Sequence, residues 1–209
     1  PDVFTEYKDN IDYALITHCQ KGHFDHLDRA GVRWLVKRQI PTFCTPRDEK
    51  FLDKKQILTR VLAQKRSTFF DGTIERIPAT HTRGWLTAFM EHGTGYFIQL
   101  PNEPSVYLMG DTVLTHSIRN FIQDNQPDYI VAPTGKAQFD LGAPLLLDEN
   151  EIIELANLST GKIICNHMGA LDHCRIDHHS LAALLEKHAV KDRYIIPRDG
   201  DTVILTTNY

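Results

Sequence analysis

Four apolar, strand-like segments of this chain each run directly into side chains able to bind a metal ion, and that recurrence restricts the fold more than any other feature. "ALIT" leads into His18, His23, Asp25 and His26; "RIPAT" leads into His81; "VYLMG" into Asp111; and "IICN" into His167. In layered α/β proteins the strands fix position while the loops at their ends converge, so chemistry collects there. Imidazoles and carboxylates gathered in a buried place without a cation would be costly. The donors are nitrogen and oxygen with no thiolate among them, a set that suits zinc, manganese or iron.

Each signal alone has a plainer reading. His23, Asp25 and His26 could form a polar loop with Asp25 or Asp28 capping the next helix, and Asp111 in "GDT" could be an ordinary turn residue. Taken together, the strand ends favour ligands, and the assignments stand or fall as a group.

The apolar pattern predicts mixed α/β layers in one domain spanning residues 1–209, since no repeat, charge run or low-complexity linker divides the chain. "DYALIT" reads as a buried strand, and Leu27, Ala30, Trp34 and Leu35 recur at helical spacing before the short strand "TFCT". A second helix is expected from about Asp48 to Gln64, with Phe51, Leu58, Val61 and Leu62 on one stripe. Extended segments follow at "TIERIPAT", "TAFMEH" and "GYFIQL", then alternating strands and helices. In "DENEIIELANLSTG" the spacing of Asp148 and Glu151 is that of a capping box. The last units are a helix carrying Leu181, Leu184 and Leu185, then strands "YIIP" and "TVILTT".

Composition narrows the function classes. A net charge of −4 gives no general attraction to nucleic acid or to an anionic membrane, so recognition has to be local. The four cysteines are scattered without close pairing and no apolar run is long enough to span a membrane, which points to a reducing cytoplasm. The expected partner is a small-molecule substrate, with no nucleic acid and no membrane; a homo-oligomer is compatible with the sequence.

The loop from His18 through His23 to Asp25 and His26, followed by lone histidines and an aspartate after later strands, resembles the metallo-β-lactamase fold superfamily of metal-dependent hydrolases. "HFDHLDRAG", "YLMGDT", "APTGKAQFDLGAPLLLDENEI" and "NHMGALDHC" look most like its lactonase-like branch, which includes L-ascorbate-6-phosphate lactonase. The resemblance covers nearly the whole chain and implies an αββα sandwich binding two divalent metal ions, zinc first, with manganese or iron as alternatives. It implies that His23 and His81, with His18, hold one ion, that Asp25, His26 and His167 hold the other, and that Asp111 bridges them. The family loop has one residue between its first two histidines, whereas Cys19, Gln20, Lys21 and Gly22 lie between His18 and His23 here. The extra residues either bulge outward and leave His18 in place or pull it off the metal. Family members also open with strands that this sequence, beginning "PDVFTEY", is expected to lack or to carry truncated.

The implied chemistry is hydrolysis of a small anionic lactone, ester or phosphodiester by a metal-activated water, with Asp25 orienting that water and accepting its proton. His173 could donate a proton to the leaving group, and Lys136, Arg83 and Arg175 are the nearest cations in sequence for an anionic substrate. The competing class is a non-catalytic metal-binding or sensing module in which the split histidine loop has spoiled one metal position.

Overall fold

Short runs of β-branched and aromatic residues, separated by segments with helical caps, decide where strands and helices fall in this chain. The computed structural model describes residues 9–19, 26–82, 93–138, 144–169 and 174–207. These form two compact units, Pro1–Ser67 and Thr68–Tyr209.

The first unit carries β1 (Ala14–Leu15), α1 (Arg29–Arg38), β2 (Thr42–Cys44), α2 (Pro46–Asp53) and β3 (Thr59–Val61). The three strands pair in parallel in the order β1, β2, β3. Helix α1 starts where Asp28 accepts the Gly31 N–H at 2.6 Å and stops at Gln39 in a left-handed conformation. Ile16, Leu35, Ile40, Cys44, Leu52 and Ile57 pack as its core. The helix expected to reach Gln64 ends instead at Asp53. Gln56 takes a left-handed φ of 61°, and "TRV" then pairs with β2, so Leu58 lies outside any helical stripe and is 40% exposed. Pairing to a neighbouring strand outweighed a period that happened to match a helix.

The second unit is built on a seven-stranded sheet of β4 (Arg66–Phe69), β5 (Gly72–Pro78), β6 (Thr94–Gln99), β7 (Val106–Leu108), β8 (Tyr129–Pro133), β9 (Lys162–Asn166) and β10 (Tyr194–Ile195), ordered β10-β9-β8-β7-β6-β5-β4. β5 to β7 pair antiparallel, whereas β7 to β10 pair parallel. Parallel neighbours need crossovers, and α3 (His116–Asn125), α4 (Glu149–Leu158) and α5 (His178–Lys187) supply them. Asp148 and Glu151 form the expected capping box at the start of α4. Ile77, Phe97, Tyr107, Ile130, Ile152 and Leu181 belong to the core, where Phe121 meets the rings of Phe97 and Tyr107 edge-on at 5.3 and 5.1 Å. Burying this many apolar side chains at about 1.5–3 kcal/mol each is the main force holding the unit. "TVILTT", expected as a strand, forms none over the described residues 202–207, and "TAFMEH" lies outside the described residues.

β5 and β7 are each antiparallel to β6, and β7, β8 and β9 are mutually parallel. With β10 parallel to β9, five strands therefore point the same way, and their C-terminal ends emerge along one edge of the sheet.

Candidate metal centre

That edge is where three of the expected ligands meet. His81 follows β5, Asp111 follows β7 and His167 follows β9. Asp111 Oδ2 lies 3.6 Å from His81 Nε2 and 3.4 Å from His167 Nε2, so one carboxylate oxygen faces two imidazoles. His81 is 4% exposed and Asp111 8%.

The backbone turns sharply at each of these strand ends. Thr82, Gly110 and His167 all take a left-handed conformation, with φ of 59°, 66° and 57°. Only Gly110 does so without steric cost, and outliers of this kind in non-glycine residues persist where the surroundings enforce them. The enforcing contacts are visible. Thr112 Oγ1 accepts the Thr80 N–H at 3.0 Å and Val113 N–H donates to the Thr80 carbonyl at 3.0 Å, which locks the Asp111 loop to the His81 loop. Behind His167, Gly135 lets the chain after β8 come so close that a Cβ there would stand 1.8 Å from the His167 carbonyl oxygen.

Cys174 is a contact that sequence reading missed as a partner of His167. Its sulfur lies 3.6 Å from His167 Nδ1 and 3.7 Å from the His167 carbonyl oxygen, so the ring is engaged from the rear while Nε2 faces Asp111. A metal-binding histidine commonly has its second ring nitrogen held in this way. Burial pushes the other three thiols, at Cys19, Cys44 and Cys165, up to about 12, so in the absence of metal they are protonated.

In the first unit, His18 follows β1 and His26 precedes α1; their rings stand 4.0 Å apart between centroids. His18 is buried, and its Nδ1 lies 3.1 Å from the Thr17 hydroxyl. On the same unit, the buried Asp48 carboxylate takes the Thr45 hydroxyl at 2.6 Å and lies 3.8 Å from the sulfur of Cys19, the residue after His18. His23, Asp25, His173 and Arg83 lie outside the described residues. Of the cations expected to meet an anion, Lys136 is paired with Glu149 at 2.7 Å and Arg175 is exposed.

The His81, Asp111 and His167 set fits a divalent cation. The separations are at the long edge of hydrogen bonding, all the facing atoms are nitrogen or oxygen, and burial keeps competing water scarce. In the metal-free protein the Asp111 carboxylate, through hydrogen bonding and attraction, outweighs burial and raises His167 from 6.5 to about 9. A histidine raised on folding contributes its stability fully below the unfolded value of about 6.5 and loses it as pH rises through about 9, an effect on the order of 3 kcal/mol. Denaturation midpoints of the chelator-stripped protein should therefore fall between pH 6.5 and 9, while zinc affinity should rise over the same window because the ring has to shed its proton to bind. A flat stability profile across that range would contradict the coupling.

Residues 4–168 match the family described as the Beta-lactamase superfamily domain. The chain belongs to the metallo-β-lactamase superfamily. Among curated proteins, it is 27% identical over 206 residues to UPF0173 protein YddR of Bacillus subtilis, covering 97% of this chain and 79% of that one. It is 30% identical over 174 residues to a UPF0173 metal-dependent hydrolase of Methylacidiphilum infernorum, covering 81% and 71%. This relationship puts the chain among the metal-dependent hydrolases of the superfamily. The fold recurs in solved structures: an isothiocyanate hydrolase from Delia radicum gut bacteria has a TM-score of 0.86 at 24% identity, over 96% of this chain and 81% of its own. A possible metal-dependent hydrolase from Veillonella parvula has a TM-score of 0.87 at 21% identity, over 98% and 80%. The expected α/β layered class is thus that of the superfamily. No helix among the described residues is long and apolar enough to cross a membrane.

Proposed function

We propose that this chain hydrolyses a small anionic lactone, ester or phosphodiester as a single catalytic domain of the lactonase-like kind, working in the cytoplasm with two divalent cations, zinc first and manganese or iron as alternatives. The observation that carries the reading is the placement of Asp111 between His81 and His167 at the ends of three co-directional strands, in a member of a metal-dependent hydrolase family. We further propose His18, His23, Asp25 and His26 as the remaining ligands, on the strength of their motif and the family relationship. Bound cations would supply Lewis-acid polarisation of the substrate oxygen and a more acidic water. Asp111 would balance the positive charge of bound cations and, with Cys174 behind the ring, keeps His167 Nε2 turned inward. Asp25 orients the attacking water and takes its proton, and His173 returns a proton to the leaving group.

The test is metal content followed by turnover. Protein purified without chelator should carry about two divalent ions per chain, as measured by elemental analysis. A panel of lactones, esters, phosphodiesters and an isothiocyanate should then give activity that chelation removes and zinc or manganese restores. Less than one ion per chain, with no turnover on any member of the panel, would leave the binding or sensing module as the better account.

A further inference from the structure

Glu151 occupies the third position of α4, where a capping-box glutamate ordinarily sits at the surface and accepts one backbone N–H. Here it is 3% exposed. One carboxylate oxygen, Oε2, does the capping work, accepting the Asp148 N–H at 3.1 Å. The other, Oε1, accepts the N–H of Leu114 at 2.8 Å, across 37 residues of sequence. Leu114 lies in the loop that begins at Asp111. Burying a carboxylate is costly unless its oxygens are satisfied by strong donors, so a cap alone gives no reason for this burial.

Leu114 is also held through its carbonyl, from α3. The Arg119 guanidinium donates to the Leu114 carbonyl and forks onto Glu154 of α4 at 2.6 and 2.8 Å. Thr112 meanwhile joins the loop to Thr80, beside His81. The segment after Asp111 is therefore held at its N–H by Glu151, at its C=O by Arg119, and laterally by Thr112.

We infer that Glu151 is a positioning residue for Asp111: through Leu114 it fixes the loop so that the Asp111 carboxylate stands between His81 and His167. The inference rests on the reading of Asp111 as a metal ligand. Its direct counterpart is Asp148, the other half of the same capping box, whose side chain accepts the Glu151 N–H at 2.9 Å and has no bond to the described residues of the Asp111 loop. Both residues support the helix, but only Glu151 reaches the loop.

Zinc titration of chelator-stripped protein against a competing chromophoric chelator separates the two roles. Glu151→Gln puts an amide N–H2 where one of the two N–H donors needs an acceptor, and should weaken zinc binding by about 10–100-fold, the range seen when residues supporting a metal ligand are removed. Asp148→Ala should lower the melting temperature but leave zinc affinity within about twofold of wild type. Equal zinc affinity in Glu151→Gln and wild type, or parallel losses in Glu151→Gln and Asp148→Ala, overturns the inference. Should Glu151→Gln fail to fold, Arg119→Gln releases the carbonyl of the same residue, Leu114. A loss of zinc affinity there supports the clamp, and wild-type affinity overturns it. A wild-type chain that binds no zinc overturns the ligand reading itself, an outcome distinct from a wild type that binds zinc and a variant that binds it equally well.

Discussion

Asp111→Asn should lower kcat/KM by roughly 10³-fold or more, equivalent to about 4 kcal/mol of lost transition-state stabilisation. The change keeps the size of the side chain and removes only its charge and one acceptor oxygen. Asp111 Oδ2 is the atom that both His81 and His167 face, so the loss falls on the point where the two imidazoles converge. Without that charge, bound metal would be held by fewer anionic donors, and elemental analysis should show less metal per chain. His167 should also fall back toward the ordinary histidine range, because the raised value has the Asp111 carboxylate as its largest cause. Wild-type turnover and metal content in the asparagine variant would remove Asp111 from the centre.

Gly135→Ala should be nearly as damaging, through shape. The added Cβ would lie 1.8 Å from the His167 carbonyl oxygen and 2.9 Å from its carbonyl carbon, and both are backbone atoms that cannot swing aside. The neighbouring backbone is committed on every side: Thr134 N–H donates to the Asn166 carbonyl at 3.1 Å and Ile176 N–H to the Gly135 carbonyl at 3.0 Å. Relief requires prying β8 from β9 just where His167 is set, at a cost of about 3 kcal/mol or more. For a chain of this size that corresponds to a melting temperature roughly 6–12 °C lower by calorimetry, with zinc affinity falling alongside. An alanine variant that melts like wild type would show that the close approach is not required.

The meeting of His81, Asp111 and His167 was legible because each sits next to what places it: each apolar segment is local, and the residue after it is therefore positioned by the strand itself. Asp148 and Glu151 were legible as a cap for the same reason. What was not legible depends on distant approach. Nothing near Glu151 in sequence shows that its second oxygen reaches Leu114, and nothing near Cys174 shows that its sulfur lies behind His167. Likewise, the role of Gly135 is set by a carbonyl on another strand. The helix expected to run to Gln64 failed through a reverse confusion. Leu58, Val61 and Leu62 happen to have helical spacing, but "TRV" is three residues of a parallel edge, and only its pairing to β2 reveals that.

The left-handed residues at the three strand ends carry a consequence for how the protein meets its ions. A posture that Thr82 and His167 would abandon in a free chain is upheld by threonine clasps, a buried carboxylate and close-packed carbonyls, all of them contacts between protein atoms. Because these supports join protein atoms to protein atoms, His81, Asp111 and His167 should keep their places when a bound ion is removed or exchanged, which melting with and without chelator would check.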